Sequence, residues 1–387
     1  MSFTEKIAVD EVTTANLQDL ISEIKQRALT SEFDDQAFIS EDIIQKFKEI
    51  GVYRALVPKR FGGNGASPTE FCELIEKISR ADGSAGWVAS FGMSPIYLGG
   101  LPVETLKKVY EQSPDIIFAG GIFPPQPAIR ENNGYRISGR WRYSSGCKSA
   151  TLFGVGFIPQ KDDSSFGLPH TAVIPAENVS IEDNWDMSGL KGTGSHDIIV
   201  QDVFVSDEWV FVRGNPSNLE EPFFRFPALS FATQVLCVVG LGVARAAIDH
   251  LVEMSEGSKS ITGAPGIGDR PLTQYQIAQA EAQLQSARSW FYETMNSSWQ
   301  TILQGDPVSK DQINAMRLSC THASRVSSDV TRLIQVVSGM AGVHRNNPLS
   351  RYVNDANVIT QHAFMGEFTY QNAGSMLFGN NPGPGYL

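Results

Sequence analysis

Basic residues are in short supply in this 387-residue chain: 31 Lys and Arg stand against 42 Asp and Glu, a formal net charge of -11. Phosphate backbones and anionic membranes recruit Lys and Arg, so the deficit argues against both as partners. Cysteine is also scarce. The four (Cys72, Cys147, Cys237 and Cys320) are widely scattered and form no Cys-x-x-Cys pair. That excludes a zinc knuckle or a disulfide framework, leaves no metal site to propose, and fits a reducing compartment. No stretch reads as long and apolar enough to span a bilayer. The opening MSFTEKIAVDEVTT is acidic and has no apolar core, so it does not read as a signal peptide. The expectation is a cytoplasmic protein kept soluble by its own charge.

What is present is ordinary globular composition, 42% hydrophobic and 19% charged, with length for a large core and two or three domains. The pattern changes twice along the chain. Residues 1–115 read as helices. Leu17, Leu20, Ile21 and Ile24 form a helical stripe, Ser40 is placed to cap EDIIQKFKEI with Gly51 as its stop, and a new helix is expected from about Pro68. Residues 116–212 are strand-like: YRISGRWRYSS, TLFGVGFIP, TAVIP and DIIVQDVFV are rich in β-branched and aromatic residues and bounded by turn formers. Their spacing predicts a small antiparallel barrel or sandwich. Residues 213–387 return to long helices, among them VLCVVGLGVARAAIDHLVEM, apolar on most sides. The tail NNPGPGY cannot be helical. The expected fold class is α+β: an N-terminal helical domain, a central antiparallel β-barrel or sandwich domain, and a C-terminal four-helix bundle.

Three motifs sit in that order. LVPKRFGGNGASPTEF holds a Val-Pro-x-x-x-Gly-Gly segment. SGLKGTGSHDIIVQDVFV places a Gly-x-x-Gly loop before a Val-x-x-Asp-Val-x-Val-like strand. RLIQVVSGMAGVHRNNPLSRYVNDANVITQHAFMGE holds Gln335-x-x-x-Gly339-x-x-Gly342 and the Asn354-Asp355-Ala356 helix. Together they resemble the acyl-CoA dehydrogenase superfamily along the whole chain. Where that family carries its catalytic carboxylate this chain has Ala363, preceded by His362. Glu367 lies one helical turn further on and would serve only if the register slipped; otherwise it is a surface or interface charge. The family's Arg-x-x-Phe-Gly flavin motif is missing between Glu256 and Gln274, where SKSITGAPGIGDRPLTQ stands.

The strand end Gly139-Arg-Trp141-Arg-Tyr-Ser144-Ser145-Gly146 is similar to the oxygenase branch of the superfamily, the group D two-component flavin monooxygenases. That resemblance implies a catalyst that takes reduced FMN or FAD from a separate reductase. With O2 it would form a C4a-hydroperoxyflavin and hydroxylate a small phenol- or indole-type ring. A hydroxyl from Ser144 or Ser145 would bond flavin N5, since it can donate or accept. His362 would donate to the peroxide or take the substrate proton.

Trp141, Thr193, Ser195, Gln335 and Gly339 are further candidate flavin contacts by the same resemblance. Of these, the Gly189–Ser195 loop could equally be a β turn, and Gly339 could be no more than a helix end. Trp87, Met93 and Phe364 are candidate walls of the substrate pocket, or core. A homotetramer built on the helical bundle is implied as well. The alternatives are a dehydrogenase using Glu367, or an inactive flavin-fold scaffold.

Overall fold

The computed structural model describes residues 11–160, 169–256, 263, 265–383 and 385–387. Most of the departing loop after Ser255, including residues 257–262 and 264, lies outside them, as does the N-terminal decapeptide.

The first part is a set of helices: α1 (Glu11–Leu29), α2 (Glu32–Gln36), α3 (Glu41–Glu49), α4 (Pro68–Ala81), α5 (Gly83–Ala89), α6 (Pro95–Leu98) and α7 (Val103–Tyr110). The stripe on α1 buries Leu20 and Ile24. Gly51 ends α3 with φ 83°, a left-handed conformation that glycine adopts without strain. Ser40 precedes α3 as expected but does not cap it with its side chain. Its hydroxyl donates to Glu32 instead, 2.8 Å away. The start of α4 is a capping box: Ser67 Oγ accepts from Glu70 N–H, Glu70 accepts from Ser67 N–H, and Pro68 fills the first helical position. Asp82 then ends α4 and caps α5 by accepting from Ala85 N–H at 2.8 Å. The two helices pack so closely that a Cβ on Gly86 would stand 1.9 Å from Ser79 Oγ.

Among the described residues the middle forms one sheet of seven strands: β1 (Phe118–Glu131), β2 (Gly134–Ser144), β3 (Leu152–Gln160), β4 (His170–Pro175), β5 (Ser180–Glu182), β6 (His196–Ser206) and β7 (Val210–Val212). Their order is β5-β6-β2-β1-β3-β4-β7. Neighbours pair antiparallel except β1 with β3, which are parallel. The connection between β2 and β3 crosses the start of β1, so Leu152 pairs with Phe118 and the two strands run the same way. The sheet has its own apolar cluster, including Ile137, Trp141, Phe153, Phe157 and Ile198.

The last part is a bundle of α8 (Ala228–Ser255), α9 (Pro271–Leu303), α10 (Lys310–Ser338) and α11 (Leu349–Gln361), followed by α12 (Phe368–Leu377). The expectation that no segment could span a membrane needs correction. α8 is long and apolar enough by composition, but its most apolar 18 residues are 78% buried within the protein. It is the bundle's central helix, packed on α4, α10 and α11, and it is apolar on most sides because these neighbours bury most of it. The non-helical tail returns to the bundle. Tyr386 OH donates to Asn314 Oδ1 at 2.8 Å, and the buried Arg317 guanidinium lies over the Tyr386 ring and donates to its carbonyl.

Candidate active site

The end of β2 is bent by a bulge. Trp141 pairs with Ile198, but the next pair is Ser144 with His196, so β2 carries one extra residue. Tyr143 absorbs the bend at φ 65° and Gly146 follows at φ 69°. The effect is to turn two adjacent serines in different directions. Ser144 is fully buried, and its Oγ has no hydrogen-bond partner among the described residues. Ser145 Oγ faces the helices. It accepts from Trp87 Nε1–H at 3.1 Å and lies 2.6 Å from Ser195 Oγ.

Ser195 continues the line. Its Oγ is 2.7 Å from Thr193 Oγ1, which donates to Leu190 O at 2.8 Å. The loop and strand end are also tied by Gly146 N–H donating to Thr193 O. A carbonyl only accepts, so the hydroxyl hydrogens have one consistent direction. Thr193 gives its hydrogen to Leu190, Ser195 gives its own to Thr193, and Ser145 gives its own to Ser195. Ser145 is then left with an acceptor lone pair.

His362 packs on the same Trp87 indole. The sequence suggested a residue on a helix; the structure puts it one position beyond α11, with ψ 138° breaking the helix. Its Nδ1 accepts from Phe364 N–H at 3.2 Å, which caps the next short turn. The proton of a neutral ring therefore resides on Nε2, which has no partner among the described residues. Burial pushes the pKa of His362 down to about 4, so the ring is neutral at pH 7 and its Nε2–H is available to donate. Its ring meets Trp87 at 5.7 Å and Phe364 at 4.7 Å, both edge-on. Met93 is buried a few residues beyond Trp87, and Phe364 is half-buried against the main core.

The remaining candidates separate. Trp141 is fully enclosed in the sheet's core, its Nε1–H donating to Gly156 O at 2.9 Å, so no ring face is open to a cofactor. Gln335 donates to Ser350 at the start of α11, and Gly339 ends α10 on the exposed surface. α11 runs 13 residues from there to His362, about 20 Å at the helical rise, so within one chain these two do not join Ser145. The side chain of Glu367 is 78% exposed and pairs with Arg325 at 2.9 Å, a surface charge.

Sequence reasoning missed three contributors. Asp355 Oδ1 accepts from Leu190 N–H at 2.6 Å. His196 is buried and accepts from Asn184 and Trp185 N–H groups. Trp185 Nε1–H reaches Leu190 O at 3.2 Å. Only the Asn354-Asp355-Ala356 match pointed at any of them.

A hydroxyl with an unused lone pair and an imidazole with an unpartnered Nε2–H, both in contact with Trp87 and the second also with Phe364, fit the polar edge of a flavin beside a small aromatic molecule. Comparison with known proteins agrees. The family models for the N-terminal and C-terminal domains of acyl-CoA dehydrogenase match residues 14–105 and 234–367. The chain is 58% identical to an indole-3-acetate monooxygenase of Acinetobacter baumannii, covering 96% of both chains. It is also 58% identical to one of Pseudomonas putida, covering 95% of this chain and 94% of the other. Its fold superposes on the crystal structure of 3-HSA hydroxylase from Rhodococcus sp. RHA1 with a TM-score of 0.91 at 25% identity, covering 98% and 100% of the two chains. The chain belongs to the acyl-CoA dehydrogenase superfamily and, within it, to the flavin-dependent monooxygenases that act as oxygenase components.

Proposed function

We propose that this monooxygenase hydroxylates an indole-type aromatic acid of the indole-3-acetate class, using reduced FMN or FAD delivered by a separate reductase. Support for the substrate class comes from the 58% identity to two indole-3-acetate monooxygenases along nearly the whole chain. When bound, reduced flavin supplies the two electrons with which one atom of O2 enters the ring and the other leaves as water.

The observation that carries the site reading is the placement of Trp87 between Ser145 and His362. In this reading Ser145 would accept a hydrogen bond from N5–H of reduced flavin. His362, neutral with its proton on Nε2, would donate a hydrogen bond to oxygen at the reacting centre. Trp87, Met93 and Phe364 exclude water, which would otherwise release H2O2 in place of product. Thr193 and Ser195 hold Ser145 from behind. Trp141 and Ser144 have no role at the cofactor, and Gln335 and Gly339 would reach flavin only from a second subunit. A homotetramer built on the bundle is supported by its exposed apolar side chains, among them Val336, Met340, Leu377 and Phe378. Light scattering on the purified protein tests it.

The experiment mixes protein with reduced FMN, O2 and indole-3-acetate and measures hydroxylated product against H2O2. Wild type should give product in excess. His362→Ala and Ser145→Ala should shift the yield to H2O2. An unchanged ratio in both would sink the assignment.

A further inference from the structure

Asp355 is fully buried on α11, and its Oδ2 has no hydrogen-bond partner among the described residues. Its other oxygen holds Leu190 N–H at 2.6 Å. Leu190 is a left-handed residue, φ 49°, in a loop pressed onto α11: a Cβ on Gly189 would lie 2.4 Å from the Asn354 carbonyl. With its N–H fixed, Leu190 turns its carbonyl inward, where it receives Thr193 Oγ1–H at 2.8 Å, Thr193 N–H at 3.1 Å and Trp185 Nε1–H at 3.2 Å. That carbonyl is the end of the hydroxyl line and sets its direction. Without it, Thr193, Ser195 and Ser145 could reverse together, and Ser145 would present a hydrogen where it now presents a lone pair.

We propose that Asp355, acting through Leu190 and Thr193, is a positioning residue that fixes Ser145 as a hydrogen-bond acceptor and so biases the site toward reduced flavin. Reduced flavin carries a hydrogen at N5 and oxidised flavin a lone pair, so an acceptor suits the first and opposes the second. The inference rests on the reading that Ser145 faces N5. Asp355 and His362 are seven residues apart on one helix and its end, two turns along the same face. α11 thus supports both sides of the site, one directly and one through the loop. Burial raises the pKa of Asp355 to about 8, with Asp82 adding to the rise and Arg351 opposing it. The neutral carboxyl that this favours is closely mimicked by asparagine.

Two measurements test it, one without flavin. In flavin-free protein, hydrogen–deuterium exchange of the peptide spanning residues 185–196 should accelerate about tenfold in Asp355→Ala. Asp355→Asn keeps an acceptor and should remain as slow as wild type. Anaerobic titration with reduced and oxidised FMN should give a wild-type preference for the reduced form. Asp355→Ala and Thr193→Val should each shrink that preference about tenfold, and the double variant should shrink it no further. Thr193→Val leaves the Asp355–Leu190 contact intact, so it decides the matter alone if Asp355→Ala does not fold. Unchanged preference in Thr193→Val, or Asp355→Asn behaving like Asp355→Ala, overturns the proposal. If Ser145→Ala leaves both FMN affinities untouched, the reading of Ser145 at N5 fails instead.

Discussion

Trp87 Nε1–H donates to Ser145 Oγ at 3.1 Å, so a helix of the N-terminal segment is tied directly to the bulged end of a strand in the sheet. Because the same indole also packs on His362, one side chain spaces the acceptor from the donor. Trp87→Phe keeps the ring and removes the N–H, a loss of about 1 kcal/mol of hydrogen bonding. Product relative to H2O2 should fall several-fold while the melting temperature changes little. A ratio equal to wild type would show that the indole only fills space.

The close packing of α4 on α5 underlies that spacing. Gly86→Ala would drive a Cβ into Ser79 Oγ, which stands 1.9 Å from the ideal Cβ position, and overpacking of this kind costs about 1–3 kcal/mol. Trp87 is the next residue and must shift with the helix. We expect a lowered unfolding midpoint in urea together with reduced coupling. Stability loss without a change in coupling would place Trp87 outside the site.

Stability should depend on pH through buried histidines. The folded pKa of His362, about 4, lies below its ordinary value of 6.5 because of burial. Between those values the unfolded chain binds more protons than the folded one, so stability falls as pH drops from 6.5 toward 4. Burial also lowers His196 and His250, which act in the same direction. His362→Gln should therefore make the pH dependence of urea unfolding shallower across this window without abolishing it. An identical slope would mean that His362 is solvated.

The tail is a stability element. Tyr386→Ala removes the ring over Arg317 and the hydroxyl on Asn314. The guanidinium is almost fully buried and keeps the carbonyl of residue 386, so the loss is a desolvated cation–π contact and one hydrogen bond, together about 2–4 kcal/mol. Thermal unfolding should shift down by several degrees. No shift would show that the tail is not docked in solution.

Glu367→Gln should leave turnover and coupling unchanged, since its pair with Arg325 is at the surface and contributes under about 1 kcal/mol. Lost activity would revive a carboxylate base.

Much of the architecture was legible from residue order. The α1 stripe, the helix start at about Pro68 and the glycine ending α3 are local patterns, and each records its structure within a few residues. The flavin-fold motifs and the replacement of the family carboxylate by Ala363, next to His362, were equally open to reading. The sequence could not choose between Ser144 and Ser145. A one-residue bulge buries Ser144 and sets Ser145 against Trp87 and Ser195, and the bulge exists only once β2 is paired with β6. It could not place Trp141 in the sheet's core, nor show that helices of the same chain bury most of α8. The direction of the hydroxyl line depends on Leu190, whose conformation is held by Asp355, 165 residues away. Local patterning determined the elements and the chemical cast. Long-range register and packing decided which side chains meet and which of them donate, because a hydrogen bond is set by where its partner stands in space.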